Sequence, residues 1–284
     1  MENRLKCSRR EFAAAAGAFG AVSSLLGAVP PPAAAEERLT VLLSGVRMDG
    51  LAAALSDRGG ALSRRVETIL AMRPLPCRCL VLPESPAISA ADGELALKKV
   101  FSASGIEVFM AEWEMVRTVR TADCDFMLLG DTEGVLAPSV QDWLAAELPR
   151  WPRPVFICAT HPPEWMQDGL MRSLAVNGRR LAGLLGDTPR LAGYLHGCGH
   201  RWQPTCERTG NGRAVRMLSL PSAEAWGDIG HVLMSTVPGC ATAVLRQDGF
   251  NARPASPACG IHADLRSMVA ANRGATCSFR WNTI

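Results

Sequence analysis

Apolar residues come along this chain in short blocks whose spacing switches between strand and helix periods. Arg38 to Ser44 (R-L-T-V-L-L-S) reads as a short buried strand broken by Gly45. From Ala61 to Met72 the apolar positions Leu62, Val66, Ile69 and Leu70 keep helical spacing, and Pro74 ends the run. Cys79 to Leu82 is a strand stopped by Pro83. Gly93 to Ser102 is an amphipathic helix with Gly105 as its C-terminal cap, and Ile106 to Met110 is a third strand. Phe126 to Leu129 leads into Gly130-Asp131-Thr132. Ser139 to Leu148 is a helix with Trp143 and Leu144 inward, and Pro154 to Ala159 is a strand running into Thr160-His161-Pro162-Pro163. A helix over Gly178 to Leu185 and a strand over Leu191 to Leu195 follow, then strand-like runs at 214–220 and 241–246. Residues 251–284 are less patterned and carry one short helix, His262 to Ala271. Strands alternating with helices, then a mostly β end, predict an α/β domain around a largely buried sheet.

The first 35 residues do not belong to that pattern. Arg4 and Lys6 precede Ser8-Arg9-Arg10-Glu11-Phe12, then an Ala/Gly-rich apolar segment to Val29, then three prolines and Ala33-Ala34-Ala35. A basic start, a weakly apolar middle and a small-residue end describe a secretory signal. The paired arginines ahead of Phe12 resemble the twin-arginine export signal of bacteria. The alternative is an N-terminal membrane anchor; the small-residue end favours cleavage after Ala35. No later stretch reaches the ~18–20 apolar residues of a spanning helix. The expectation is therefore a periplasmic or secreted protein, free of the membrane once the signal is gone, whose transport partner is the twin-arginine translocase. Removing residues 1–35 takes away four bases and two acids and lowers the net charge from +3 to +1. That balance gives no support for a nucleic-acid partner.

Ten cysteines become nine when Cys7 leaves, so at least one thiol stays unpaired even in an oxidising compartment. Cys77 and Cys79 share a strand face and read as small core residues. The stretch Leu191 to Trp202 (L-A-G-Y-L-H-G-C-G-H-R-W) concentrates candidate chemistry, since its glycines alternate with Cys198 and His200 just after His196. Thiolate and imidazole are the ligands that zinc-like cations prefer. Other polar residues recur in loops after strands: Gly45 to Arg47, Glu84, Glu112 to Glu114 and His161. Ligands of open α/β sheets bind at the carboxyl ends of strands. Asp131 with Glu133 in G-D-T-E-G suggests a carboxylate pair. Trp143, Trp151, Trp165 and Trp202 suit either a ring-binding surface or packing, and packing is commoner. His231 and His262 read as ordinary polar residues.

The runs F-M-L-L-G-D-T, Q-D-W-L-A-A-E-L, P-V-F-I-C-A-T-H-P-P and Y-L-H-G-C-G-H-R-W together resemble the calcineurin-like metallophosphoesterase family, in its order and approximate spacing. The resemblance covers residues 125–250 and extends in order, more weakly, over 38–124. It implies a four-layer α/β/β/α sandwich with two mixed sheets over residues 36–250, behind a 1–35 signal, with 251–284 as a C-terminal extension packed on the domain. It also makes His161 and His200 metal ligands, and makes G-D-T-E-G a strand-end turn, the preferred reading over a carboxylate pair of Asp131 and Glu133. The departures are as informative. The family's first Asp-x-His falls at Gly45-Val46-Arg47, its Gly-Asp at Pro83-Glu84, and its Gly-Asn-His-Asp/Glu at Ala111-Glu112-Trp113-Glu114. The first histidine of Gly-His-x-His becomes Cys198.

One metal position of the family is thus reduced to Glu84 and His200, while the other keeps Glu84, Glu112, His161 and Cys198, all able to ligate zinc. The resemblance therefore implies hydrolysis of a small phosphate mono- or diester around one divalent ion (zinc, iron or manganese). Arg47 would replace the second cation as a phosphate clamp, and Glu114, the acidic end of the third motif, would be a second catalytic group. The competing expectation is a pseudoenzyme: a binding or scaffolding protein on the same fold, needing no metal, with Glu84, Glu112 and Cys198 in a disused cleft.

Overall fold

The computed structural model describes residues 38–281 except 49, 58, 85–89, 133–134, 162–177, 198–201, 210–211, 224–226 and 252–274. The chain separates into residues 1–37 and a compact unit, Arg38–Ile284. The expected signal and the expected helix at His262 to Ala271 lie outside the described residues. Among the described residues no helix is long and apolar enough to cross a membrane.

In chain order, β1 (Arg38–Val46) is followed by α1 (Leu51–Ser56), α2 (Ala61–Leu70), β2 (Arg78–Pro83), α3 (Ala90–Ser102) and β3 (Glu107–Met110). Next come β4 (Val116–Arg120), β5 (Asp125–Leu129) and a small hairpin of β6 (Asp131–Thr132) and β7 (Val135–Leu136). α4 (Pro138–Glu147), β8 (Val155–Ala159), α5 (Gly178–Asp187) and β9 (Leu191–His196) continue the alternation. Five strands close the chain: β10 (Gln203–Arg208), β11 (Ala214–Ser219), β12 (Gly227–Val237), β13 (Cys240–Asn251) and β14 (Thr276–Arg280).

Two six-stranded mixed sheets result, ordered β14-β13-β12-β1-β2-β3 and β10-β11-β9-β8-β5-β4. In the first, β1, β2 and β3 run parallel and β12 joins β1 antiparallel. In the second, β5, β8, β9 and β11 are parallel, with antiparallel β4 and β10 at the edges.

Strand alternation separates three cores. Leu42 and Leu80 of the first sheet face Phe126, Leu128, Phe156 and Leu195 of the second in a central layer. The intervening residues Val41, Leu43, Cys79 and Val81 point the other way, onto Leu62, Val66 and Ile69 of α2 and Leu97 of α3. Met127, Leu129, Ile157 and Tyr194 likewise pack outward on Val140 and Leu144 of α4 and Leu185 of α5. Period 2 in strands and i, i+4, i+7 in helices therefore produce a four-layer α/β/β/α sandwich with two mixed sheets.

β13 runs on to Asn251, and β14 pairs with it as the outer strand of the first sheet. Trp143 and Trp151 pack at 6.1 Å between ring centroids against the outer core, and Trp202 is buried in the central one. Cys79 is in the core, while Cys77 is half-buried just ahead of β2.

Candidate functional site

The carboxyl ends of the parallel strands in both sheets meet at one end of the sandwich, tied by hydrogen bonds between loops. After β1 a register shift between Ser44 and Val46 interrupts the pairing with β2, and Ser44 Oγ donates to the Pro221 carbonyl at 2.5 Å. The Glu84 amide returns to the Val46 carbonyl at 2.9 Å. Thr160 Oγ1, after β8, donates to the Pro83 carbonyl at 3.3 Å, which joins the two sheets. The Gly197 amide, after β9, reaches the Thr160 carbonyl at 3.0 Å. Gly130 forms an isolated bridge with Trp113, and a Cβ at Gly130 would run into the Glu112 carbonyl and the Trp113 amide. Only glycine permits that approach between the exits of β3 and β5.

His161 is the most firmly held of the expected site residues. Asp131, in β6 and almost fully buried, takes the His161 backbone amide on Oδ2 at 3.0 Å and pairs through Oδ1 with ring nitrogen Nδ1. Tyr194 Oη donates to the His161 carbonyl at 2.9 Å from beneath. Burial, with Asp131 adding to it, pushes the Tyr194 hydroxyl well above its ordinary pKa, so it stays a donor. A carboxylate behind a histidine fixes the tautomer and ring orientation. The resemblance makes Asp131 a turn residue; the signal that locates it is its place after β5, beside the exit of β8.

The other expected residues lie differently. Glu112, expected as a metal ligand, is ion-paired with Arg117 Nη2, while Arg117 Nη1 holds Glu94 Oε1 at 2.7 Å and Lys98 Nζ holds the same oxygen at 2.5 Å. Burial alone would raise the Glu94 carboxyl, but hydrogen bonds from Lys98 and Arg117 bring it below its usual range. Arg47, Glu84 and Glu114 are exposed, and Glu114 holds a left-handed backbone with φ 63°. Such a backbone is uncommon for a residue with a side chain and concentrates at functional turns. Cys198 and His200 lie outside the described residues. Among the described residues, no three His, Cys, Asp or Glu side chains are grouped to hold a metal ion. Arg117 and Glu94 are thus residues near these exits that motif reading did not single out.

No family model matches the chain, and no curated protein matches it significantly. Solved structures do. A dimetal phosphatase from Danio rerio is 12% identical over 74% of this chain and 95% of its own, with a TM-score of 0.48. A Streptococcus pneumoniae protein predicted to be a phosphoesterase is 10% identical over 78% and 95%, with a TM-score of 0.37. Vps29 of Chaetomium thermophilum, complexed with a cyclic peptide, is 10% identical over 86% and 97%, with a TM-score of 0.41. At such identities and scores these likenesses assign no activity to the chain.

Proposed function

We propose that this chain is an exported metallophosphoesterase-like protein that hydrolyses a phosphate mono- or diester with a reduced, mononuclear metal site. Residues 1–35 would be a twin-arginine signal read by the translocase, residues 36–250 the hydrolytic domain and 251–284 an extension packed on it, placing the mature protein in the periplasm or outside the cell. The observation that carries the reading is His161 held by Asp131 where strand ends of both sheets converge. An imidazole backed by a carboxylate suits a borderline cation such as zinc, iron or manganese. His161, Glu84, Cys198 and His200 would hold it. A bound ion would supply Lewis-acid polarisation of the phosphoryl group and a water of lowered pKa.

The chain's own part is positional. Asp131 fixes the His161 ring through Nδ1 and Tyr194 anchors the same residue through its carbonyl. Arg47, exposed at the end of β1, would bind phosphate oxygens through its planar fork. Glu114 sits in the turn after β3, where it would take or return a proton.

Glu112 does not fit the ligand set as it stands, since Arg117 holds its carboxylate. That observation favours a second reading, a non-catalytic binding or scaffolding protein in which an internal guanidinium replaces a metal. Hydrolysis of a generic aryl phosphate mono- and diester by wild type, His161→Ala and Arg117→Gln separates the two. The hydrolase reading expects turnover in wild type that falls at least about 100-fold in His161→Ala. Absence of turnover in wild type and in Arg117→Gln, each supplied with zinc, iron or manganese, would leave the binding reading.

A further inference from the structure

Between β3 and β4 the chain makes a tight turn, Glu112 to Met115, whose shape is imposed from outside. The Met115 amide returns to the Glu112 carbonyl at 3.4 Å, and Glu114 takes its left-handed backbone, φ 63°, within it. A residue with a side chain keeps such a backbone only where its surroundings over-determine it. Two contacts do so here. On one side the Glu112–Trp113 peptide lies directly on Gly130, where a Cβ would collide with it. On the other, the Glu112 carboxylate is ion-paired with Arg117 in β4.

Arg117 is itself fixed from a third element. Its Nη1 donates to Glu94 Oε1 of α3 at 2.7 Å, and Lys98 Nζ, one helical turn on, holds the same oxygen at 2.5 Å. Glu94 is 5% exposed, so this is a buried anchor rather than one of the surface ion pairs that contribute little. The planar guanidinium bridges two carboxylates in one geometry, which the point charge of a lysine does not reproduce. In the sheet Arg117 stands opposite Leu128 of β5, two residues before Gly130. Asp131 follows Gly130 directly and takes both the backbone amide and the ring of His161. Contacts therefore run without a gap from Glu94 through Arg117 and Glu112 to Gly130, Asp131 and His161.

We propose that Arg117 is a positioning residue of this site: anchored on Glu94, it clamps the Glu112–Met115 turn onto Gly130 and so sets Asp131 and the ring of His161. The proposal rests on His161 as the working residue of the site, and on neither a metal nor turnover. It gives the ion pair that takes Glu112 out of the ligand set a part in the same site, and it accounts for the left-handed Glu114.

Coupling of this kind is demonstrated by a readout at the far end of the contacts. Nitrogen-15 NMR of the His161 ring in the full chain, metal-free and at alkaline pH, supplies one, with His161→Ala assigning the signals. A ring whose Nδ1 is held by a carboxylate keeps one tautomer and two well-separated nitrogen signals; a released ring exchanges tautomers and the signals draw together. Wild type is compared with Arg117→Gln, Glu112→Ala and Arg153→Gln. Arg153 is the control, because its Nε lies 3.1 Å from buried Asp125 at the opposite end of β5. Well-separated signals are expected in wild type and Arg153→Gln, drawn together in Arg117→Gln and Glu112→Ala. Wild-type signals in Arg117→Gln overturn the positioning role and leave the ion pair a structural brace. The same loss in Arg153→Gln also overturns it, since any ion pair of β5 would then serve. Averaged signals in wild type overturn the grip of Asp131 on His161 and the reading of the site with it. If Arg117→Gln does not fold, Glu112→Ala, which keeps Arg117 on Glu94, decides on the same signals. The expected pattern in a chain that hydrolyses no phosphoester supports this inference while the hydrolase reading fails.

Discussion

A carboxylate that grips one residue through both its backbone amide and its ring leaves that residue little freedom, and Asp131 does this to His161. The thiols show the opposite treatment of reactive groups. Burial pushes Cys79 and Cys124 up to about 12 and Cys158 higher still, so none presents a thiolate near neutral pH. Iodoacetamide, followed by peptide mass mapping, is expected to leave Cys79, Cys124 and Cys158 unlabelled in native protein and to label them in urea. Labelling of these three at the same rate in native and in unfolded protein would contradict their placement. At this scale the sequence was legible where a residue type repeats a motif, as at His161. It was not legible at Glu112, because the ion pair that claims it comes from Arg117 on an edge strand and is shared with Glu94 on a helix. Nor does a pattern distinguish a turn aspartate from Asp131, whose partner lies thirty residues away.

Among elements, the central strands and the longer helices follow from periodicity, since β1, β2, β5, β8 and β9 are continuous apolar runs buried on both faces. The edges do not. β4 (V-R-T-V-R) alternates arginine with apolar residues and reads as polar surface, and β10 mixes Pro204 and charged residues. β14 sits in a stretch with little pattern, yet Phe279 from it is fully buried, edge-on to Phe156 at 5.1 Å. It packs where Gly193 of β9 has no side chain; a Cβ there would stand 2.7 Å from the Phe279 ring. Phe279→Ala is expected to destabilise the domain by about 3–5 kcal/mol, because the sheets cannot collapse into the space left. Urea unfolding measures this, and a loss below about 1 kcal/mol would show that β14 contributes little to the core.

Taken as a whole molecule, the sandwich stores two neutral buried imidazoles among the described residues, and this gives it a pH response. Burial is the main cause that pushes His196 and His231 from the ordinary 6.5 down to about 3, with His161 adding to the first and Arg65 and Arg246 to the second. Between those values the unfolded chain binds protons that the folded chain refuses. Stability is therefore full above pH 6.5 and falls as the pH drops towards 3. Each imidazole contributes a slope of about 1.4 kcal/mol per pH unit in that window. Urea midpoints at pH 7.5 and pH 5.0 are expected to lie closer together in His231→Gln than in wild type; equal separation would contradict a buried neutral His231.

The claim on which the rest depends is that His161, set by Asp131, holds a metal ion. Metal content of the wild-type chain prepared without chelators, beside His161→Ala and Asp131→Ala, tests it most directly. About one zinc, iron or manganese ion per wild-type chain is expected, absent from His161→Ala and bound about 10–100-fold more weakly by Asp131→Ala. No metal in the wild type, or the same content in all three proteins, would contradict it and leave the strand-end convergence as a binding surface without a cation.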